Sequence, residues 1–334
     1  MRAKILFDMH RRKFIVGAAA WGLGSVTASC HQARGWTASA YRKLRQSRVA
    51  ILRAANYQQD LTSLIVEGIR EFSLPVRGKK VLLKPNLVEY ESNNVINTHP
   101  AVIGAAIQAF RTLGAAAVKV AEGPGHRRDT DGLLLDSGLL PFLKESETEF
   151  VDLNLDDTRR VGLLSHYTGM DSLFMSESVL TCDFLVSMPK IKTHHWAGMT
   201  LSMKNMFGVV PGVHYGWPKN LLHWRGISEC IVDINSTVYP HFVIADGIVA
   251  MEGNGPIQGK PKACGVLVLG DDPVAVDSTC TRVAGLNPAK IKYLQIASQF
   301  LGNLDESRIL QIGEPLSQVV SPFEIIDSFR YLRS

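Results

Sequence analysis

Short apolar runs recur along this chain, and each is followed within two residues by glycine, proline or charged residues. Arg48–Leu52, Lys80–Leu83, Ala116–Ala121, Asp183–Ser187, His241–Ala245 and Gly265–Leu269 have this form. Between them lie segments with helical spacing of apolar residues, such as Asp60–Phe72 through Leu61, Leu64, Ile65, Ile69 and Phe72. Strands that are apolar without alternation need cover on both faces. The pattern therefore predicts an α/β fold with a mostly parallel sheet and helices on both faces, in one large domain or two lobes. Right-handed crossovers would place the strand C-termini on one edge, where open parallel sheets bind ligands.

Further elements follow from local signals. Thr98 before Pro100 predicts a helix from Thr98 to Leu113, and Asp272-Pro273 a helix through Val283. Ala197–Val209 reads as a helix, with Met199, Met203 and Met206 as its core stripe. Gly212–Leu222 reads as a loop, Ile227–Val238 as a helix and Arg308–Ile312 as a last strand. Val161–Met175 gives no clear assignment.

The N-terminus has a different character. Arg11-Arg12-Lys13-Phe14-Ile15 precedes an apolar stretch to Val26 that is short for a permanent membrane span. It resembles a twin-arginine export signal over residues 1–29, with a tether over 30–46 and the folded domain over 47–334. Cys30 after Thr27-Ala28-Ser29 is a candidate lipidation site; cleavage after Ala38-Ser39-Ala40 is the alternative. The expected location is periplasmic or cell-envelope, with the export machinery as a partner and a membrane anchor if Cys30 is modified. The formal charge of +5 is concentrated here, in Arg2, Lys4, Arg11, Arg12 and Lys13. The remaining chain is near neutral, which excludes the electrostatic footprint of a nucleic-acid binder. Cys182, Cys230, Cys264 and Cys280 form no Cys-x-x-Cys, so iron–sulfur and zinc-ribbon motifs are absent, and each is expected as a small buried apolar residue.

The densest chemistry lies in Met188–Gly216. Lys190, Lys192, Thr193, His194, His195, Thr200, Lys204 and Asn205 are interleaved with methionine, tryptophan and phenylalanine. Lysines beside the N-terminus of a helix make an anion site, suited to a carboxylate or phosphate. Lys84, Asn86, Lys190, Lys192, Thr200, Lys204 and Asn205 are the candidate substrate-binding residues. His194 is the candidate acid/base, with Glu252 and Asp246 as carboxylate partners. His99, His194 and Glu252 are candidate ligands for a divalent metal, although their spacing is not a metal motif. Adjacent histidines in an extended segment point opposite ways, so one of His194 and His195 is expected to face the site. Asp277 is open between burial and function.

Lys84-Pro85-Asn86, Thr98-His99-Pro100, Pro189-Lys190-x-Lys192-Thr193-His194, Lys204-Asn205-x-x-Gly208, Asp246-Gly247, Glu252-Gly-x-Gly-Pro256 and Asp272-Pro273-x-Ala275-x-Asp277 together resemble the DUF362 family. The resemblance covers about Arg48 to Gly285. It implies which residues define a site but no agreed reaction. Some relatives carry an added ferredoxin-like segment with Cys-x-x-Cys clusters, which this chain lacks. The expected function is an enzyme acting on a small anionic compound, with metal assistance left open. The alternatives are a noncatalytic binding lipoprotein and a redox or cofactor-maturation protein.

Overall fold

Strand β1 (Ser47–Arg53) begins a chain path in which β2 (Lys80–Pro85), β3 (Ala117–Glu122) and β4 (Phe150–Asp152) alternate with helices. The computed structural model describes residues 43–126 and 129–333. The export signal, Cys30 and nearly all of the tether lie outside them. A small hairpin follows, β5 (Thr158–Gly162) and β6 (Ser172–Ser176), in the segment whose sequence gave no assignment. Then come β7 (Phe184–Met188), β8 (Lys190–His194), β9 (Gly198–Thr200), β10 (Phe242–Asn254), β11 (Gln258–Gly270) and β12 (Ile309–Gly313).

One ten-stranded sheet runs in the order β12-β1-β11-β10-β7-β2-β3-β4, with β8 and β9 attached beside β10. Its neighbours pair in parallel, except that β11 runs against both β10 and β1 and β9 runs against β8. The α/β fold with a largely parallel sheet is thus the observed one. Period-two alternation splits the strands between two cores. Val49, Ile51, Val243, Ala245, Val266 and Val268 face the helices 227–237 and 273–283 on one side. Ala50, Val81, Leu83, Ile244, Leu267 and Leu269 face the helices 61–70 and 100–112 on the other.

Several local expectations meet competing forces. The helix 100–112 is capped by His99, whose Nδ1 accepts from the Ala101 amide at 3.1 Å, rather than by Thr98. Thr98 instead joins two strand ends: it accepts from the Asn86 amide at 2.9 Å and donates to the Met188 carbonyl at 2.6 Å. The strand expected to stop at Asp246-Gly247 continues to Asn254, because β11 pairs with it to Gln258. Gly247 marks a bulge instead, where a Cβ would lie 2.8 Å from Ile191 Cδ1.

The largest correction is Ala197–Val209. It is no single helix. Gly198, at φ +80°, turns the chain so that His194 pairs with Gly198 and Lys192 with Thr200. Only Ser202–Asn205 is α-helical, followed by a 3₁₀ turn over Met206–Val209. Long-range pairing of β8 with β10 overrides helical spacing here. Met199, Met203 and Met206 are fully buried, as a core stripe should be. Cys230 and Cys280 are buried, Cys182 and Cys264 half-buried, and all four are free thiols. Among the described residues no helix is long and apolar enough to cross a membrane.

Candidate functional site

The C-terminal ends of β2, β3 and β8 border a cleft of about 620 Å³. Segment 86–91, the turn after β8, and residues 204–208 and 218–223 complete its walls. Its floor is an ion pair. Lys84, without exposed surface, donates to Glu122 Oε2 at 2.5 Å and to Asn205 Oδ1 and the Pro85 carbonyl, each at 3.2 Å. Glu122 also accepts from the Gly123 amide at 2.8 Å and the Leu87 amide at 3.3 Å. Burial lowers the Lys84 pKa, and the charge of Glu122 opposes that shift. Asn205 ties the floor to the sheet by donating to the Lys84 carbonyl at 3.0 Å and Ser187 Oγ at 3.1 Å. Gly208 lies directly over the pair: a Cβ there would come within 1.9 Å of Glu122 Oε1 and 2.5 Å of Lys84 Nζ. The spacing Lys204-Asn205-x-x-Gly208 therefore has a structural cause at two of its three positions.

Three more ammonium groups line the walls. Lys192 donates to the carbonyls of Ile96 at 2.7 Å and Pro256 at 3.2 Å. Lys219 donates to the carbonyls of Gly123 at 3.0 Å and of Phe207 and Gly208 at 3.4 Å. Lys204 lies 4.3 Å from the Phe207 ring centroid and, among the described residues, makes no hydrogen bond or ion pair. Burial lowers all three pKa values: Lys192 well below its ordinary value, Lys204 to about 8 and Lys219 to about 7. Neighbouring lysines add to each shift, Glu122 opposing them.

Imidazoles and aromatic rings form the remaining wall. His194 is buried, and its Nδ1 accepts from the amides of Trp196 at 3.1 Å and Ala197 at 3.3 Å. Its proton is therefore on Nε2, and burial followed by the Lys204 charge holds its pKa well below the usual value. His223 has the opposite tautomer. Its Nδ1 donates to the Lys219 carbonyl at 3.0 Å, which leaves Nε2 as an acceptor, and burial brings its pKa to about 4. His195 also lines the cleft, its Nδ1 donating to the Gly255 carbonyl at 2.9 Å. Both adjacent histidines thus reach the site, with ring centroids 5.2 Å apart, because β8 ends between them and the chain turns. Asn86 Oδ1 and Thr200 Oγ1 line the cleft as buried polar atoms without a partner.

Of the residues singled out in the sequence, Asn86, Lys192, His194, Thr200, Lys204 and Asn205 meet here, above Lys84 and Glu122. Others lie elsewhere. Lys190 donates to Asp246 at 2.6 Å and to Tyr57 Oη and the Val249 carbonyl at 3.0 Å, in a closed cluster. Asp246 also accepts from the His99 amide, and the His99 ring stacks on Tyr57 at 3.6 Å. Neither Lys190 nor Asp246 borders the cleft. Glu252 lies away from it, accepting from the Glu324 amide at 2.8 Å and facing Lys262 at 3.4 Å. The grouping of His194 with Glu252 and Asp246 is therefore not formed. The metal set His99, His194 and Glu252 does not assemble either, and the described residues contain no cluster of three or more histidine, cysteine or carboxylate groups able to hold a metal.

The helix N-terminus expected to greet an anion is occupied. Asp277 accepts from the amides of Ser202 at 2.7 Å and Met203 at 2.9 Å, so its role is that of a buried cap. Sequence reasoning missed Lys219, in the segment read as a loop, and His223, just beyond its end. Their four-residue spacing was the available signal, since the short helix 220–224 joins them.

A sequence model of DUF362, a domain of unknown function, matches residues 81–282. The chain belongs to the DUF362 family. It is 29% identical over 257 residues to a thylakoid-associated protein of Synechocystis sp., a match covering 73% of this chain and 76% of that protein. Among solved structures, the lactate racemase apoprotein from Thermoanaerobacterium thermosaccharolyticum matches with a TM-score of 0.45 at 14% identity. That match covers 73% of this chain, which spans only 58% of the racemase. A protein of Thermotoga maritima matches with a TM-score of 0.39 at 15% identity, over 72% of this chain and 59% of that one.

Proposed function

We propose that this DUF362 protein binds a small carboxylated or phosphorylated compound in the cleft and acts on it as an enzyme. One observation carries this. Lys192, Lys204 and Lys219 share the cleft, and none makes an ion pair among the described residues. Glu89, Glu91 and Glu122 also border the cleft, but none pairs with these three amines, and an anion seated among them relieves both their desolvation and their mutual repulsion. Asn86 and Thr200 supply unsatisfied polar atoms for orientation. His194, as an Nε2–H donor, and His223, as an Nε2 acceptor, supply an acid and a base in one cavity.

Calorimetric titration with oxalate, phosphate and a neutral amide tests the binding. Micromolar to millimolar affinity for an anion and none for the amide is expected; equal or absent binding would refute it. His194→Asn separates an enzyme from a binding lipoprotein: affinity is retained in both, and turnover is lost only in an enzyme.

The twin-arginine signal belongs to the same proposal, placing the protein in the periplasm or cell envelope. Changing Arg11 and Arg12 to lysine should retain the protein in the cytoplasm, read by fractionation. Palmitate labelling that disappears in Cys30→Ala would support an anchor at that residue.

A further inference from the structure

The buried lysines of this protein differ in what their ammonium groups touch. Lys84 has three acceptors, Lys190 three and Lys219 three, which is the full complement of an ammonium group. Lys192 has two. Lys204 has none, although it is half-buried, packed on Phe207 and directed along the cleft wall. No hydrogen-bond acceptor meets its third proton among the described residues. After burial itself, the charged groups acting on it oppose one another: Lys84 disfavours the ammonium form, while Glu122 favours it. His194 and His223, which feel the charge of Lys204, are both held neutral, and the Cys230 thiol behind it has its pKa raised to about 12 by burial. A desolvated amine among cations is the environment that makes lysine a nucleophile.

We propose that Lys204 condenses with the aldehyde or keto group of a small anionic carbonyl compound. This rests on the anion-binding cleft and narrows its ligand class. The Nζ lone pair attacks the carbonyl carbon and forms a C–N bond. One N–H proton passes to the carbonyl oxygen, giving a carbinolamine. The C–O bond then breaks and hydroxide leaves; with the second N–H proton it forms water, and an imine remains. No electrons are exchanged with another reagent. His223 Nε2 is placed to accept a proton, and His194 Nε2–H to supply one to the departing oxygen. Lys192, with a donor to spare, holds the carboxylate or phosphate of the same molecule. Thr200 Oγ1 can donate to an oxygen of that molecule, and Asn86 Oδ1 can accept from the carbinolamine hydroxyl.

Glyoxylate with sodium cyanoborohydride is the probe, and peptide mass spectrometry of the intact folded protein is the readout. Lys204 should carry the reduced adduct at about tenfold higher occupancy than the exposed Lys119, Lys144 or Lys260, and oxalate should protect it. With its pKa at about 8, labelling should rise about fivefold from pH 7 to pH 8. Labelling spread over exposed lysines while oxalate still binds in the calorimeter would overturn the imine but leave the anion cleft standing. Neither labelling nor oxalate binding would overturn both. Selective labelling that oxalate fails to block would overturn the anionic class. The wild-type protein supplies each of these readouts, so none depends on a variant folding.

Discussion

Lys190 and Lys192 leave strand β8 two residues apart, yet they end in regions of opposite character. Lys190 meets a carboxylate, a phenol and a carbonyl inside the protein, and its charge is closed off. Lys192 meets only two carbonyls and shares a cavity with Lys204 and Lys219. The two residues point to the same side of their strand, so alternation does not separate them. What separates them is β10, which sets Asp246 beside Lys190 and Met251 beside Lys192. A lysine opposite a carboxylate becomes part of the scaffold. A lysine opposite a methionine keeps its charge for something else.

The comparison can be broken most severely at the closed cluster. Lys190→Met leaves Asp246 buried without its cation, and the loss of unfolding free energy should be about 3–5 kcal/mol by urea titration. A loss under about 1 kcal/mol would mean that the cluster is not a scaffold element. The cleft should respond to acid instead. His223 has its pKa lowered to about 4, so it is neutral in folded and unfolded chains above about pH 6.5. As pH falls below that value the unfolded chain binds the proton first, and stability declines until about pH 4, where both states are charged. The penalty is about 2 kcal/mol after allowance for partial exposure, and His223→Asn should remove it from the pH dependence of unfolding. The smallest effect sharpens the contrast. Lys204→Met should change stability by less than about 1 kcal/mol, since no partner is stranded, while weakening oxalate about tenfold in calorimetry. Unchanged oxalate affinity would remove Lys204 from the site.

The parallel sheet and its ligand-bearing rim were legible because buried parallel strands are apolar throughout and their C-terminal turns are not. Lys84, Asn86, Glu122, Lys192 and His194 follow from that rule, whereas Thr200, Lys204 and Asn205 were placed on a helix over 197–209 that does not form. Asp246 and Lys190 obey the same rule and still fall outside the cleft. Their placement depends on β10 continuing through a glycine that reads as a stop, because β11 extends it. Lys219 and His223 were hidden for a related reason. The four-residue spacing of Lys219 and His223 sets them on one face but not which way it turns; the carbonyls of Gly123, Phe207 and Gly208 draw the lysine in across the fold. Similarly, Met199, Met203 and Met206 fit a helix and a hairpin followed by a short turn equally well, and only the pairing of Lys192 with Thr200 decides between them.

Gly208, pressed against the Lys84–Glu122 pair, also sets a clock. Lys84 has no exposed surface, so its protons exchange with bulk water only when the 206–209 turn or its surroundings open. On any shorter timescale that ammonium is a fixed charge, whatever the outside pH. A rapid pH jump would therefore leave the field at the floor of the cleft unchanged until that opening occurs.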